Sequence, residues 1–219
     1  VFEIAERYTI FRSGKNVAEG STRELDQDKF TYYMTGREIV SKRFSYQDDA
    51  APAVLEGNHL SLDHGFRDVS FSLKKGEIVG ITGLLGSGRT ELAEALFGYH
   101  HPQSGEIKIN GKKIEINSIS DAIENGIGYL PPDRVTEGLF LSQSIADNIS
   151  AKKWDEYANV FGAVDQKKIE EMAHYWEKEL SIALHDVEAP VGTLSGGNQQ
   201  KCVLAKWLAI DLNVLILNG

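Results

Sequence analysis

Gly83-Leu84-Leu85-Gly86-Ser87-Gly88-Arg89-Thr90 is the stretch on which the reading of this chain turns. It fits the pattern G-x-x-x-x-G-K-[ST] at every fixed position except one, where Arg89 stands for Lys. Glycines at these spacings let backbone N–H groups curl around phosphate oxygens without Cβ clashes, and the N-terminus of a following helix adds positive potential. Thr90 brings a hydroxyl suited to a magnesium ion. The planar guanidinium of Arg89 can pair with phosphate oxygens, but it is not the compact point charge that Lys provides. The expectation is that binding survives and catalysis suffers.

The flanks agree with that loop. Residues 77–82 form a compact, β-branched run that reads as a buried strand feeding it, and residues 89–97 read as a helix ending at Gly98. Upstream, residues 54–62 and 68–73 alternate as half-buried strands do, before a turn at Lys75-Gly76. Downstream, residues 106–116 predict a hairpin turning at Asn110-Gly111, then a helix near 120–125 and a strand at 127–130 that Pro131-Pro132 breaks. A more helical section follows over 142–184, in which Ile169, Met172, Ala173, Trp176 and Leu180 share one face as a packing stripe. The last elements are a helix over 195–210 and a strand over 214–217. This order implies an α/β sheet with a helical insert.

Residues 8–18 read as strand, turn and strand around Ser13-Gly14-Lys15. Ser21 and Glu24 have capping-box spacing, which predicts a helix from about Thr22 to Met34, stopped at Gly36. The polar stretch 41–52 reads as a linker, with a boundary near residue 50.

The 219 residues are 42% hydrophobic, enough for one well-buried α/β domain with an appendage. Lys and Arg total 23 against 32 Asp and Glu, and the net charge of -9 disfavours nucleic acid as a partner. The lone Cys202 permits no internal disulfide, as suits a reducing cytosol, and reads as a small buried apolar residue. The six histidines form no metal-ligand pattern; His100-His101 lies beside Pro102 in a turn. The strongest apolar run, Val214-Leu215-Ile216-Leu217, is far short of the roughly 18 residues of a membrane helix, so a membrane link is expected to run through a partner. Val1 in place of Met, and Asn218-Gly219 directly after an apolar run, give the expectation that both ends continue in a longer protein.

Leu194-Ser195-Gly196-Gly197-Asn198-Gln199-Gln200-Lys201 places a Ser at a helix start and two glycines where a phosphate could approach closely. Coming after the glycine-rich loop and before an apolar strand, it resembles the LSGGQ-type signature of ABC ATPases, in the LSGGNQQK form of monosaccharide importers. Residues 34–38 resemble the stretch joining two tandem ATP-binding domains, and residues 1–20 the end of the first. Residues 70–78 and 104–107 resemble the strand and hairpin beside the family's P-loop.

The resemblance implies a P-loop NTPase (ABC ATPase) core of α/β class with an antiparallel β subdomain and a helical subdomain, truncated after the Walker B strand. It implies that residues 1–40 end a first ATP-binding domain, 41–53 link, and 54–219 form most of a second. Its implied cofactors are ATP and Mg²⁺. Gly83, Leu84, Leu85, Gly86, Ser87, Gly88, Arg89 and Thr90 would hold the nucleotide, with Phe66 the nearest candidate for stacking on adenine or, equally, a core residue. Leu194, Ser195, Gly196, Gly197, Asn198 and Gln199 would act across to the γ-phosphate of a neighbouring domain's ATP. Metal candidates are Thr90, with Asp133 and Asn218 as further ones. The implied partners are membrane permease subunits, a first ABC ATP-binding domain and, indirectly, a sugar-binding protein, at the cytoplasmic face of the membrane.

The chain departs from the family pattern in two places. Asn218 and Gly219 stand where the family has Asp then Glu, so no catalytic residue is assigned and the intact site is expected to hydrolyse ATP poorly. Pro132 stands where the family has a metal-binding Gln; Asp133 could substitute, or be a surface acid pairing with Arg134 in a turn. A soluble ABC ATPase acting on nucleic acid or ribosomes, and a non-catalytic ABC-like interaction module, are the alternative readings.

Overall fold

The computed structural model describes residues 2–12, 14–36, 38 and 50–218. Ser13, most of the expected linker and Gly219 lie outside the described residues. The chain divides into two compact units, 1–47 and 48–219.

In the first unit, β1 (Arg7–Arg12) and β2 (Lys15–Ser21) pair antiparallel, with a bulge between Ile10 and Phe11. Ser21 caps only a short 3₁₀ turn, Thr22–Glu24. The helix proper, α1 (Gln27–Thr35), begins later because the Asp26 side chain accepts from Lys29 N at 2.7 Å. The capping-box expectation is corrected: Asp26 offers a carboxylate to the free amides of the first turn, and the Ser21 hydroxyl is used up at Arg23 N.

The second unit holds two sheets. One is antiparallel in the order β4–β3–β5–β6, formed by β3 (Ala53–Leu62), β4 (Phe66–Lys74), β5 (Ser104–Ile109) and β6 (Lys112–Ile114). Asn110 and Gly111, both at positive φ (50° and 76°), make the tight turn between β5 and β6 that their sequence predicts. The other sheet is parallel and two-stranded, β7 (Ile127–Leu130) with β8 (Val214–Leu217), in register Ile127 to Val214 through Leu130 to Leu217. All four β7 residues are buried.

Helices α2 (Arg89–Phe97), α3 (Ile119–Glu124) and α7 (Gly196–Leu208) pack on these sheets. The helical insert comprises α4 (Ile145–Ser150), α5 (Trp154–Tyr157) and α6 (Gln166–Glu179). Ile169 and Ala173 of α6 are buried and Met172, Trp176 and Leu180 pack partly against the core, so the stripe predicted from spacing is the packing face. At the centre Phe97 stacks on Tyr129 (4.9 Å between centroids, 15° between planes) and meets Trp207 edge-on at 5.6 Å. One aromatic thereby joins α2, β7 and α7. Cys202 is fully buried among them, and burial pushes its thiol up to about 12, as expected of a packing residue.

One prediction is overturned. Residues 77–82 form no strand, and Ile78, Val79 and Ile81 are 75%, 45% and 51% exposed. A buried parallel strand needs neighbours that saturate its N–H and C=O groups. Here β7 and β8 pair with each other, and no described strand flanks residues 77–82.

Behind β7 the chain makes a five-residue π-turn, Arg134–Gly138, locked onto α7 by Lys206 Nζ, which donates to Gly138 O at 2.6 Å. Burial, and then the nearby Lys152, bring the Lys206 ammonium down to about 8. Because the folded value lies below the unfolded one, the unfolded chain binds the extra proton between pH 8 and roughly 10.4, and folding stability rises with pH across that window. Unfolding in denaturant at pH 7.5 and 9.5 should therefore show wild type gaining on Lys206→Met by on the order of 2 kcal/mol. Parallel pH dependences would remove this account of Lys206.

Candidate functional site

The glycine-rich loop runs exposed from residue 83 to 87 and ends at the buried Gly88. Ser87 N donates to Leu84 O at 3.0 Å, closing a turn, and Gly86 and Gly88 lie at φ +77° and +86°, a region that an L side chain enters only with strain. At Gly88 the approach is also close: a Cβ there would come to 2.4 Å from Gly65 O and 3.1 Å from the Phe66 Cβ. The start of β4 thus sets where α2 begins. Gly88 is the N-cap of α2 and supplies no side-chain cap, so the first-turn N–H groups stay available to an anion. Leu84 and Leu85 are 86% and 104% exposed, in keeping with a loop that contributes its backbone. Arg89 is exposed and Thr90 half-buried in the first turn.

Phe66 is buried to 8% exposure within the core, and a ring so enclosed presents no face to a base. Of the two roles open to Phe66, the structure supports the packing one; it props the loop from below.

The signature segment forms the start of α7. Ser195 is its N-cap in extended conformation, and Asn198 fixes the Ser195 hydroxyl: Asn198 Nδ2 donates to Ser195 Oγ at 3.1 Å while Ala183 N donates to Asn198 Oδ1 at 3.0 Å. With its oxygen accepting from Asn198, Ser195 keeps its own proton to donate outward. Lys201 Nζ donates to Ser181 O at 2.6 Å and pins the same loop to the helix. Gly197 faces open space, whereas a Cβ on Gly196 would lie 2.5 Å from Arg134 Nη2. Leu194 packs partly against the core and also lines the cavity beside Ser195, and Gln199 is turned inward at 8% exposure. A cavity of about 360 Å³ opens beside Ser195 and Asn198, lined also by Leu184, His185 and Asp186. Sequence reasoning missed Arg134 here, because no spacing rule links it to a segment 60 residues on.

Of the metal candidates, Asp133 is occupied otherwise. Its Oδ1 accepts from Val135 N at 2.9 Å and Thr136 N at 3.4 Å, capping the π-turn; the Thr136 side chain first, then the Val135 amide, hold its carboxyl below the usual range. The expected pairing with Arg134 is corrected in part: no direct ion pair joins them among the described residues, and the Arg134 charge ranks behind the hydrogen bonds of Thr136 and Val135 in lowering the carboxyl. Asn218 follows β8, with its N bonded to Leu130 O at 3.0 Å and its Nδ2 donating to the Tyr129 hydroxyl at 2.8 Å. Burial pushes that phenol up to about 12, so it stays protonated at neutral pH. The carboxamide oxygen of Asn218 remains as a neutral donor to a metal. Gly219 lies outside the described residues. No cluster of three or more His, Cys, Asp or Glu side chains exists among the described residues. Thr90 and Asn218 together are neutral, which fits a magnesium ion that arrives with triphosphate charge and not one held by a protein cage alone. No described helix is long and apolar enough to cross a membrane.

Comparisons with known proteins bear on this geometry. Over its whole length the chain is 42% identical to the ribose import ATP-binding protein RbsA of Clostridium perfringens strain 13, of which it spans 44%. It is 39% identical to the RbsA of Clostridium tetani, spanning 43% of it. It is 38% identical over 99% of its length to a putative ribose/galactose/methyl galactoside import ATP-binding protein of Halalkalibacterium halodurans, spanning 41% of it. The chain therefore covers less than half of these relatives. Among solved structures, cbiO1 from Clostridium perfringens, part of the ABC transporter complex cbiONQ, superposes with a TM-score of 0.61 at 22% identity over 76% of this chain and 65% of its own. The ATP-binding cassette MJ0796, solved with ADP and Pi, gives 0.59 at 20% identity over 74% of this chain and 72% of its own. At that identity these two establish the fold alone, a P-loop ATPase domain of α/β class. The model of the ABC transporter family matches residues 66–218, taking in both the glycine-rich loop and the signature, and the chain belongs to that family.

Proposed function

We propose that this chain forms most of the second nucleotide-binding domain of the ATP-binding subunit of a monosaccharide importer, with residues 1–40 ending a first domain and 41–53 linking the two. The observation that carries the reading is the start of α7, where Asn198 donates to the Ser195 hydroxyl, Gly197 faces open space and no side-chain bond caps the helix, in a chain whose relatives are named as ribose import ATP-binding proteins. The loop 83–90 binds ATP within its own domain. Residues 195–197 reach across to the γ-phosphate of an ATP held by the first domain, and lower its developing charge with N–H donors and the helix dipole.

The chain's own site is a regulatory or structural nucleotide binder. Arg89 holds phosphate oxygens without the point charge of Lys, and Asn218 is neutral where a metal-holding carboxylate is expected. Mg²⁺ arriving with ATP would offset phosphate charge, and Thr90 and Asn218 are the residues that would hold it. By itself the chain is expected to turn over ATP only at background. Closure on ATP and reopening after hydrolysis at the first domain's site pass through the helical insert to membrane permease subunits, with a sugar-binding protein engaged indirectly and the subunit peripheral at the cytoplasmic face.

The complete protein, affinity-purified from detergent-solubilised membranes, is expected to bring down polytopic permease subunits, and its Gly197→Asp variant to lose nearly all sugar-stimulated ATP turnover. Co-purification with ribosomes or nucleic acid instead would overturn the importer reading.

A further inference from the structure

We propose that Arg134 completes the phosphate-binding site of the signature helix, its guanidinium taking γ-phosphate oxygens together with the α7 amides and the Ser195 hydroxyl; this rests on the reading of residues 195–197 given above. The guanidinium is seated on the first residue of α7: a Cβ on Gly196 would fall 2.5 Å from Nη2 and 3.4 Å from Cζ. A side chain at this position would displace the guanidinium from the helix start. Pro131-Pro132 fixes the chain before Arg134, and Lys206 ties the far end of its turn to the same helix, so the arginine is delivered to α7 by a braced element and not by a free loop.

The Nε of Arg134 is enclosed and has no hydrogen-bond partner, and the guanidinium forms no ion pair among the described residues. The nearest acid in sequence, Asp133, caps the amides of Val135 and Thr136 through Oδ1, and the Arg134 charge is the last-ranked influence on its carboxyl, without a direct ion pair. A cation is thus held against the positive end of a 13-residue helix with no anion at ion-pair distance among the described residues. Half-buried cations are ordinarily paired, and two positive features brought together repel unless an anion is shared. A phosphoryl group supplies that anion: its oxygens match the planar fork of a guanidinium and the N–H groups of a helix start alike. The open space over Gly197 leaves room for it on the neighbouring amide. The charge on Arg134 adds to the hydroxyl, amide and backbone donors of residues 195–198, since the Lys201 ammonium is engaged by Ser181 O.

The test uses the complete subunit as expressed, with Arg134→Gln, Arg134→Lys and Gly197→Asp variants. Three quantities are read: maximal ATP turnover, inhibition by orthovanadate as a probe of the phosphoryl position, and affinity of the P-loops for a fluorescent ATP analogue. For Arg134→Gln the expected result is at least about a tenfold loss of turnover and a matching weakening of vanadate inhibition, with analogue affinity within about twofold of wild type. Arg134→Lys should fall between, losing roughly threefold, because charge is kept and the fork is lost. A folded Arg134→Gln protein with wild-type turnover and vanadate inhibition, beside an inactive Gly197→Asp, overturns the role of Arg134 and leaves the signature reading standing. Wild-type turnover in Gly197→Asp removes the signature reading itself. If Arg134→Gln does not fold, Arg134→Lys decides: unchanged vanadate inhibition overturns the proposal, and a severalfold weakening upholds it.

Discussion

Phe97→Ala is expected to lower the unfolding free energy of this chain by about 3–5 kcal/mol, the range for emptying a large aromatic site in a packed core. Phe97 is 3% exposed and is the point at which α2, β7 and α7 meet through its contacts with Tyr129 and Trp207. Those partners cannot collapse into the void, because Tyr129 is held by its neighbour Asn218 and its strand ladder, and Trp207 carries Lys152 over its ring at 5.0 Å. For a chain of this size the melting temperature should fall by roughly 6–20 °C. Thermal unfolding followed by circular dichroism reads the shift directly; a loss under about 1 kcal/mol would mean that the three elements are joined elsewhere.

Gly88→Ala should damage both stability and nucleotide binding, and Gly86→Ala supplies the comparison. Each residue lies at positive φ, so each substitution incurs backbone strain of about 1–2 kcal/mol. Only at Gly88 does the new Cβ also meet backbone, at 2.4 Å from Gly65 O; at Gly86 it meets nothing within 4 Å. Gly65 closes its own turn through a bond to Leu62 O at 3.0 Å and cannot retreat without disturbing β3 and β4. The first turn of α2 must shift instead, and with it the amides that would hold phosphate. Gly88→Ala is expected to weaken ATP binding by at least about tenfold and to melt lower than Gly86→Ala. Equal melting temperatures for the two would show that the approach to Gly65 exerts no constraint.

The strands 53–62 and 66–74, the Asn110-Gly111 hairpin, the α6 stripe and the helix starts after the loops at 83–88 and 194–195 could be read from residue order, because each depends on local periodicity or on a turn that few residues can make. Residues 77–82 could not. A β-branched run announces strand propensity, but whether it becomes a strand depends on neighbours far away in sequence, and β7 and β8 are engaged with each other. The start of α1 was misplaced because Ser21 and Asp26 compete as caps, and the carboxylate accepts the closer bond, 2.7 Å against 3.4 Å. Arg134 escaped the sequence reading for a further reason: that its Nε is enclosed without a hydrogen-bond partner among the described residues shows only once the chain is folded.

The most direct test of the account is a calorimetric titration of the 219-residue chain with Mg·ATP at neutral pH. Saturable binding at one site with a dissociation constant below about 1 mM, weakened by Gly88→Ala but not by Ser195→Ala, is the predicted result. A folded chain that takes up no nucleotide at several times that concentration would contradict the claim that the amides of residues 83–90 are shaped to hold phosphate.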